Sequence, residues 1–218
     1  MRAFFAEMAG TFVLVAASCA AATLGGWPGT PIAIGAVVAL LILAFGRLSG
    51  AHFNPAVTLA IAASGAMPAR RALLYVAAQL IAALAAAALV QNVAGPGIGL
   101  VEPGAPPTLA WAADTIGSFA MVFVILAVVA GRIPGRWGAL AIGLAVAAAL
   151  WLTIPLSGGS LNPARALAPA LLAGRLDAVA VTVGGPLCGA LLAVVAHRAT
   201  EPARLSRVKE LLDREAMA

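Results

Sequence analysis

The sequence has very little charge. Of 218 residues, 13 are Lys or Arg and 8 are Asp or Glu, so 10% are charged, against about a quarter in a soluble domain. Too few polar side chains remain to cover a water-facing surface, which excludes a soluble enzyme, a nucleic-acid reader and a disordered scaffold. Cysteine and histidine are scarce as well. Cys19 and Cys188 both sit inside apolar runs, too few for a disulfide framework, and read as two core thiols. Those cysteines, His52 and His197 show no nucleophile–base or zinc spacing, and no Gly-rich phosphate loop is present. Catalytic residues, a metal and a cofactor are therefore not expected. The pI near 10.6 suggests nucleic acid at first sight, but the net charge is only +5. Twelve of the thirteen basic residues are Arg, in short clusters between apolar runs, as in membrane orientation signals.

Long apolar runs are plentiful: 63% of residues are hydrophobic and mean hydropathy is +1.05. A bilayer core needs about 20 apolar residues per helix. Runs of that length lie at 3–24, 31–49, 71–91, 109–130, 137–155 and 177–199, which predicts six spans. Two further segments, 55–63 and 163–172, are helix-like but only half a membrane long. Each follows a Gly-rich approach and starts on the proline of an Asn-Pro pair, where a missing N–H costs nothing. Half-helices are tolerated at membrane depth only when packed in protein or lining a watery cavity. The expected class is an all-α membrane protein with six transmembrane helices, two re-entrant half-helices and an inverted internal repeat.

Arg2, Arg70, Arg71, Arg132, Arg136 and the tail residues Arg198, Arg204, Arg207, Lys209 and Arg214 fall on one side of a six-span chain. Residues 91–108 carry Glu102 and no Lys or Arg. The positive-inside rule then puts both termini in the cytoplasm of a multi-pass protein of the cell membrane. Arg2 with its apolar run and Ala20-Ala21-Ala22 imitates a cleavable signal, but Glu7 interrupts the run and five spans follow. The polar stretch 201–218 is expected to be a short amphipathic helix outside the membrane.

The chain repeats itself. Glu7-Met8-Ala9-Gly10-Thr11-Phe12 recurs as Asp114-Thr115-Ile116-Gly117-Ser118-Phe119, and Asn54-Pro55-Ala56 recurs as Asn162-Pro163-Ala164, at offsets of 107 and 108 residues. Each half, 1–100 and 101–200 with the tail 201–218 behind them, holds three spans and one half-helix. Three is odd, so the second half enters from the opposite face, an architecture used by many transport proteins.

In that arrangement the half-helices meet near the midplane with their N-termini facing, each bringing roughly half a positive charge. Asn54 and Asn162 offer amide donors to whatever passes, so a proton or cation is repelled while a neutral hydroxylated molecule finds partners. Gly50, Ala51 and His52 on one side and Gly158 and Ser160 on the other provide a ladder of backbone carbonyls. Arg165, one turn into the second half-helix, can face the same lumen; an intramembrane Arg is a functional-site hypothesis by default.

The paired Asn-Pro-Ala motifs, the second continued by Arg165, stand in the contexts Ser49-Gly50-Ala51-His52-Phe53-Asn54-Pro55-Ala56-Val57 and Gly158-Gly159-Ser160-Leu161-Asn162-Pro163-Ala164-Arg165. On these residues the chain resembles an aquaporin of the major intrinsic protein family from about residue 3 to 199. The resemblance implies a right-handed six-helix bundle, a homotetramer with one pore per subunit, and passive conduction. It also maps the family's narrow selectivity filter onto Ile34, Leu150, Gly159 and Arg165. Water-selective members usually carry Phe and His at the first two positions; glycerol facilitators carry Trp and Gly, with a Phe in the loop. With no ring and no His, this filter is expected to be wide and apolar. It is similar to members that pass glycerol, urea or neutral metalloid hydroxides such as arsenous acid. Ala166 and Ala170, small as in the water type, keep a strictly water-selective channel as the alternative.

Other residues have quieter readings. Glu7 and Asp114 are expected to accept hydrogen bonds from the backbone of the re-entrant loops, and His52 to pack or hydrogen-bond within one. Gln79 is a polar contact inside the bundle or between subunits. Arg47 lines the mouth or snorkels to the interface. Trp27, Trp111 and Trp137 read as interfacial anchors, while Trp151 can turn towards the filter, and His197 is expected at a solvated span end. An ion-coupled transporter would need titratable groups along the pathway beyond Glu7 and Asp114. Water, small neutral solutes and the lipid bilayer are thus the expected partners, with no nucleic acid.

Overall fold

The computed structural model describes residues 1–24 and 26–200, the side chains of 22–28 excepted. Trp27 and the tail 201–218 therefore lie outside the described side chains. Eight helices follow in order: α1 (Arg2–Leu24), α2 (Gly26–Ser49), α3 (Pro55–Ala63), α4 (Ala69–Ala94), α5 (Pro107–Val129), α6 (Gly135–Ser157), α7 (Pro163–Leu172) and α8 (Val179–Ala199). Six are long and apolar enough to cross a membrane. The other two, α3 and α7, have 9 and 10 residues, roughly 15 Å at 1.5 Å per residue, so each reaches only half-way. Helix α2 starts before the expected residue 31 and so carries Pro31 inside it; membrane helices tolerate this where neighbours satisfy the backbone.

Small residues set the packing. A Cβ built on Gly35 would lie 2.5 Å from the Gly143 carbonyl oxygen, and one on Gly143 would lie 2.7 Å from the Gly35 carbonyl oxygen. Helices α2 and α6 cross backbone to backbone at this pair, whose members sit 108 positions apart, the repeat offset. At the crossing of α5 and α8, a Cβ on Gly189 would meet the Thr115 carbonyl oxygen at 2.2 Å. Close approach of this kind carries helix association in lipid, where apolar burial between helices contributes little.

The outer surface is apolar, with Leu43, Leu73, Leu144 and Val195 exposed. Arg2, Arg47, Arg70, Arg71, Arg132, Arg136 and Arg198 are exposed, on the face that an even number of crossings gives to both chain ends. At the opposite face, Arg175 pairs with Asp177 at 3.2 Å and with Glu102 at 3.5 Å. The Arg175 hydrogen bond holds the exposed Asp177 carboxyl below the usual carboxylate range.

Candidate functional site

The two half-helices begin alike. Asn54 and Asn162 are N-caps in extended conformation, with proline following each. The Asn54 Oδ1 accepts the Ala56 N–H at 2.9 Å, and the Asn162 Oδ1 accepts those of Ala164 at 3.0 Å and Arg165 at 3.4 Å. Capping turns each amide nitrogen away from its own helix. The Asn54 Nδ2 donates to the Leu161 carbonyl and the Asn162 Nδ2 to the Phe53 carbonyl, both at 2.9 Å. Each loop thus binds the carbonyl just ahead of the other's asparagine. An amide has two N–H groups, so one remains on each Asn for the cavity that both line.

Both approaches are left-handed at matched places. Ala51 and Gly159 have φ of 56° and 67°, and Phe53 and Leu161 of 51° and 47°. Non-glycine residues persist there only where the surroundings over-determine them. Gly10 supplies part of that constraint: a Cβ on it would lie 2.0 Å from the Phe53 ring. Its repeat counterpart Gly117 would meet Leu161 at 3.0 Å.

Buried acids hold the loops. Glu7 is fully buried and accepts four hydrogen bonds, from the Ser49 hydroxyl at 2.6 Å, the backbone N–H of His52 at 3.0 Å and of Phe53 at 2.8 Å, and the Gln79 amide at 2.8 Å. Asp114 is equally buried but takes the Ser157 hydroxyl at 2.5 Å on Oδ1. Its Oδ2 closes no hydrogen bond among the described residues. Asp114 meets its loop through the Ser157 hydroxyl and the Ser160 backbone, the kind of contact expected of it. Ser49 and Ser157 then accept the N–H of Ala51 and Gly159 at 3.0 and 3.3 Å.

Behind the first loop, Gln79 also donates to Thr58 at 2.9 Å, Thr58 pairs with His52 Nδ1 at 3.1 Å, and the His52 ring meets Tyr75 edge-on. Gln79 is thus an intra-bundle contact. The second loop has a smaller device, the Ser160 hydroxyl on the Thr182 carbonyl.

These elements enclose a cavity of about 610 Å³. Ile34, Leu150, Gly159 and Arg165 all line it, as do Asn54, Asn162, Gly50, Ala51, His52, Gly158 and Ser160. Gly159 lies against Leu150: a Cβ there would be 3.1 Å from the Leu150 Cδ2. Of the carbonyl ladder, that of Ser160 accepts the Asn162 N–H at 2.5 Å. Arg165 is 8% exposed, and its Nη1 donates to the Gly99 carbonyl at 3.0 Å, leaving further donors for the lumen. Towards the face of the termini the wall is apolar, with Val57, Ile61, Met67, Val128 and Val129.

Three expectations change. Trp151 is 45% exposed and does not line the cavity, because its neighbour Leu150 takes the inward position and consecutive helical residues diverge by about 100°. His197 is buried and packs on the Phe123 ring, so the expected solvation is absent. Cys188 is half-buried, whereas Cys19 is fully buried. Sequence reasoning missed Gly10, Gly117 and Gly99; the repeated glycines inside the matched segments were the available signal for the first two.

Similarity to known proteins agrees with this geometry. The model of the family described as Major intrinsic protein matches residues 1–197. The chain is 36% identical over 211 residues to Aquaporin NIP1-1 of Zea mays, spanning 90% of this chain and 74% of that protein. It is 34% identical over 223 residues to Aquaporin Z of Rhodopseudomonas palustris, spanning 91% and 93%. The X-ray structure of the aquaglyceroporin from Plasmodium falciparum superposes with a TM-score of 0.74 at 25% identity, over 88% of this chain and 93% of that one. With two opposed half-helices closing on one lumen inside six apolar spans, the chain belongs to the major intrinsic protein family, as a multi-pass membrane channel for water and small solutes and not an enzyme.

Proposed function

We propose that the pore conducts water together with small uncharged solutes — glycerol, urea and neutral metalloid hydroxides such as arsenous acid — and excludes ions and protons. The observation that carries this reading is the lining formed by Ile34, Leu150, Gly159 and Arg165. It has no aromatic ring and no His, and at Gly159 the side facing Leu150 carries no side chain. An aliphatic wall opposite one guanidinium suits a molecule with a hydroxylated edge and an apolar edge. Arg165 donates to the solute, the Gly50, Ala51, His52 and Gly158 carbonyls accept from it, and Asn54 and Asn162 donate at the midplane. Ions are refused by the Arg165 charge and by the two facing helix dipoles. Glu7 and Asp114 hold the loops in place. Likeness to a protein named an aquaglyceroporin supports the solute reading; the small Ala166 and Ala170 favour a strictly water-selective channel as the second.

Stopped-flow light scattering on proteoliposomes separates the two. Fast water efflux with glycerol, urea and arsenous acid entering well above protein-free vesicles is the expected result. Water flux alone would leave the second reading standing. Flux that follows pH or voltage would indicate ion coupling instead.

We further propose that the protein is a homotetramer in the cell membrane with both termini in the cytoplasm and one pore per subunit, built from repeats 1–100 and 101–200. The exposed arginines on the terminal face support the orientation, which C-terminal reporter fusions test. Native mass in detergent tests the assembly.

A further inference from the structure

Arg165 is positioned by a loop that abuts the first span. Its Nη1 donates to the carbonyl of Gly99, a buried residue at φ +86°, a conformation that glycine adopts without steric cost. A Cβ built on Gly99 would lie 2.3 Å from the Cys19 Sγ, 3.0 Å from its Cβ and 3.5 Å from its Cα. Cys19 belongs to α1 and is packed among Val15, Ala83 and Ala164, so it has little room to yield. The loop cannot retreat either. One residue before Gly99, the Ile98 carbonyl accepts the Gln91 side-chain amide at 3.2 Å, and further on the Gly104 and Ala105 N–H groups donate to the Leu156 carbonyl at 3.1 and 2.9 Å. Volume added between residues 19 and 99 is therefore relieved at the remaining soft contact, the Gly99 carbonyl on Arg165.

We propose that Cys19 and Gly99 are positioning residues of the filter: the room between them fixes the Gly99 carbonyl, which fixes where the Arg165 guanidinium stands and hence which neutral solutes pass. The inference rests on the role proposed above for Arg165. When the carbonyl moves off, the guanidinium loses a partner in a confined site and leans into the lumen to hydrate. That obstructs a solute of glycerol size more than water. Loss of a hydrogen bond to a charged group is worth about tenfold or more.

The test compares glycerol-to-water permeability ratios in proteoliposomes of the full chain. Gly99→Ala is expected to lower the ratio about tenfold. Adding Cys19→Ala removes the 2.3 Å obstacle and leaves the one at 3.0 Å, so recovery is partial; adding Cys19→Gly leaves only the 3.5 Å contact and recovers more. A merely structural role gives the opposite order, because glycine inside α1 destabilises the helix. An unchanged ratio in folded Gly99→Ala, or no graded recovery, overturns the proposal. Should Gly99→Ala not fold, Cys19→Met presses on the same loop with residue 99 intact, and a wild-type ratio in that variant overturns it equally. Absence of glycerol flux in the wild type defeats the polyol reading on its own. Water permeability per channel across the same proteins then reads the lever, and a flat series refutes it.

Discussion

The loop ending at Asn54 is tied to Glu7 by the Ser49 hydroxyl and two backbone N–H groups, with Gln79 of α4 bracing the same carboxylate; the loop ending at Asn162 is tied to Asp114 by the Ser157 hydroxyl and the Ser160 backbone. Yet the two backbones match in their left-handed residues, their caps and the carbonyls they exchange. What the two halves share is what geometry demands: glycine under each aromatic or aliphatic plug, serine between acid and loop, asparagine before proline. Where they differ is charge and polar anchorage. Arg165 has Val57 as its counterpart, 108 positions earlier. The first half is built as a fixed frame and the second carries the discriminating group, which leans on its neighbours instead of on its own acid.

That contrast can be broken on the heavy side first. Glu7→Gln keeps the shape but presents an N–H group to donors, leaving two buried donors without an acceptor; at 1–3 kcal/mol each the cost is about 3 kcal/mol. Thermal unfolding in detergent, followed by circular dichroism, measures it, and a shift no larger than that of Asp114→Asn refutes the asymmetry. Arg165→Val gives the second half the residue of the first. Proton or cation leak through proteoliposomes is expected to rise roughly a hundredfold, the scale of the few kcal/mol that a unit charge exerts at contact distance in a partly wet site. An unchanged leak places the barrier in the helix dipoles alone.

Ile34→Phe with Leu150→His narrows the lumen where the halves face each other. Glycerol flux should drop by roughly tenfold, a barrier of about 1.4 kcal/mol, with water flux retained; intact glycerol flux would mean that the constriction lies elsewhere. Asp114→Asn keeps an acceptor for the Ser157 hydroxyl, so the thermal midpoint should shift by only about 1 kcal/mol of stability. The smallest effect belongs to Asp177→Asn, far from either loop. The Asp177 carboxyl is held low in the folded protein, so whatever its ion pair contributes is present at neutral pH and fades as acid carries the solution through that lowered value. Exposed pairs contribute little, and unfolding midpoints at pH 7 should coincide with the wild type.

The half-helices at 55–63 and 163–172 were legible to the residue because Asn-Pro fixes a helix start with no competing reading. The six spans were legible because lipid demands length, and the Asn pair because the repeat brings two N-termini together. All four residues mapped to the filter reach the cavity wall. Facing was harder to read: outside is lipid and inside is an apolar lumen, so hydrophobic periodicity cannot say that Leu150 turns in and Trp151 out. Nor could it reveal that His197 meets Phe123. The Cys19–Gly99 abutment joins residues 80 positions apart with no counterpart in the repeat pattern.

The exchanged asparagine bonds bear on how such a chain is made. Asn54 is satisfied by Leu161 and Asn162 by Phe53, so the first loop cannot reach its final bonding until some 160 residues exist. Until then its amide lacks that acceptor, and a bare polar group at membrane depth is costly. Halves 1–100 and 101–200 produced as separate chains should therefore complete these two bonds only when they meet.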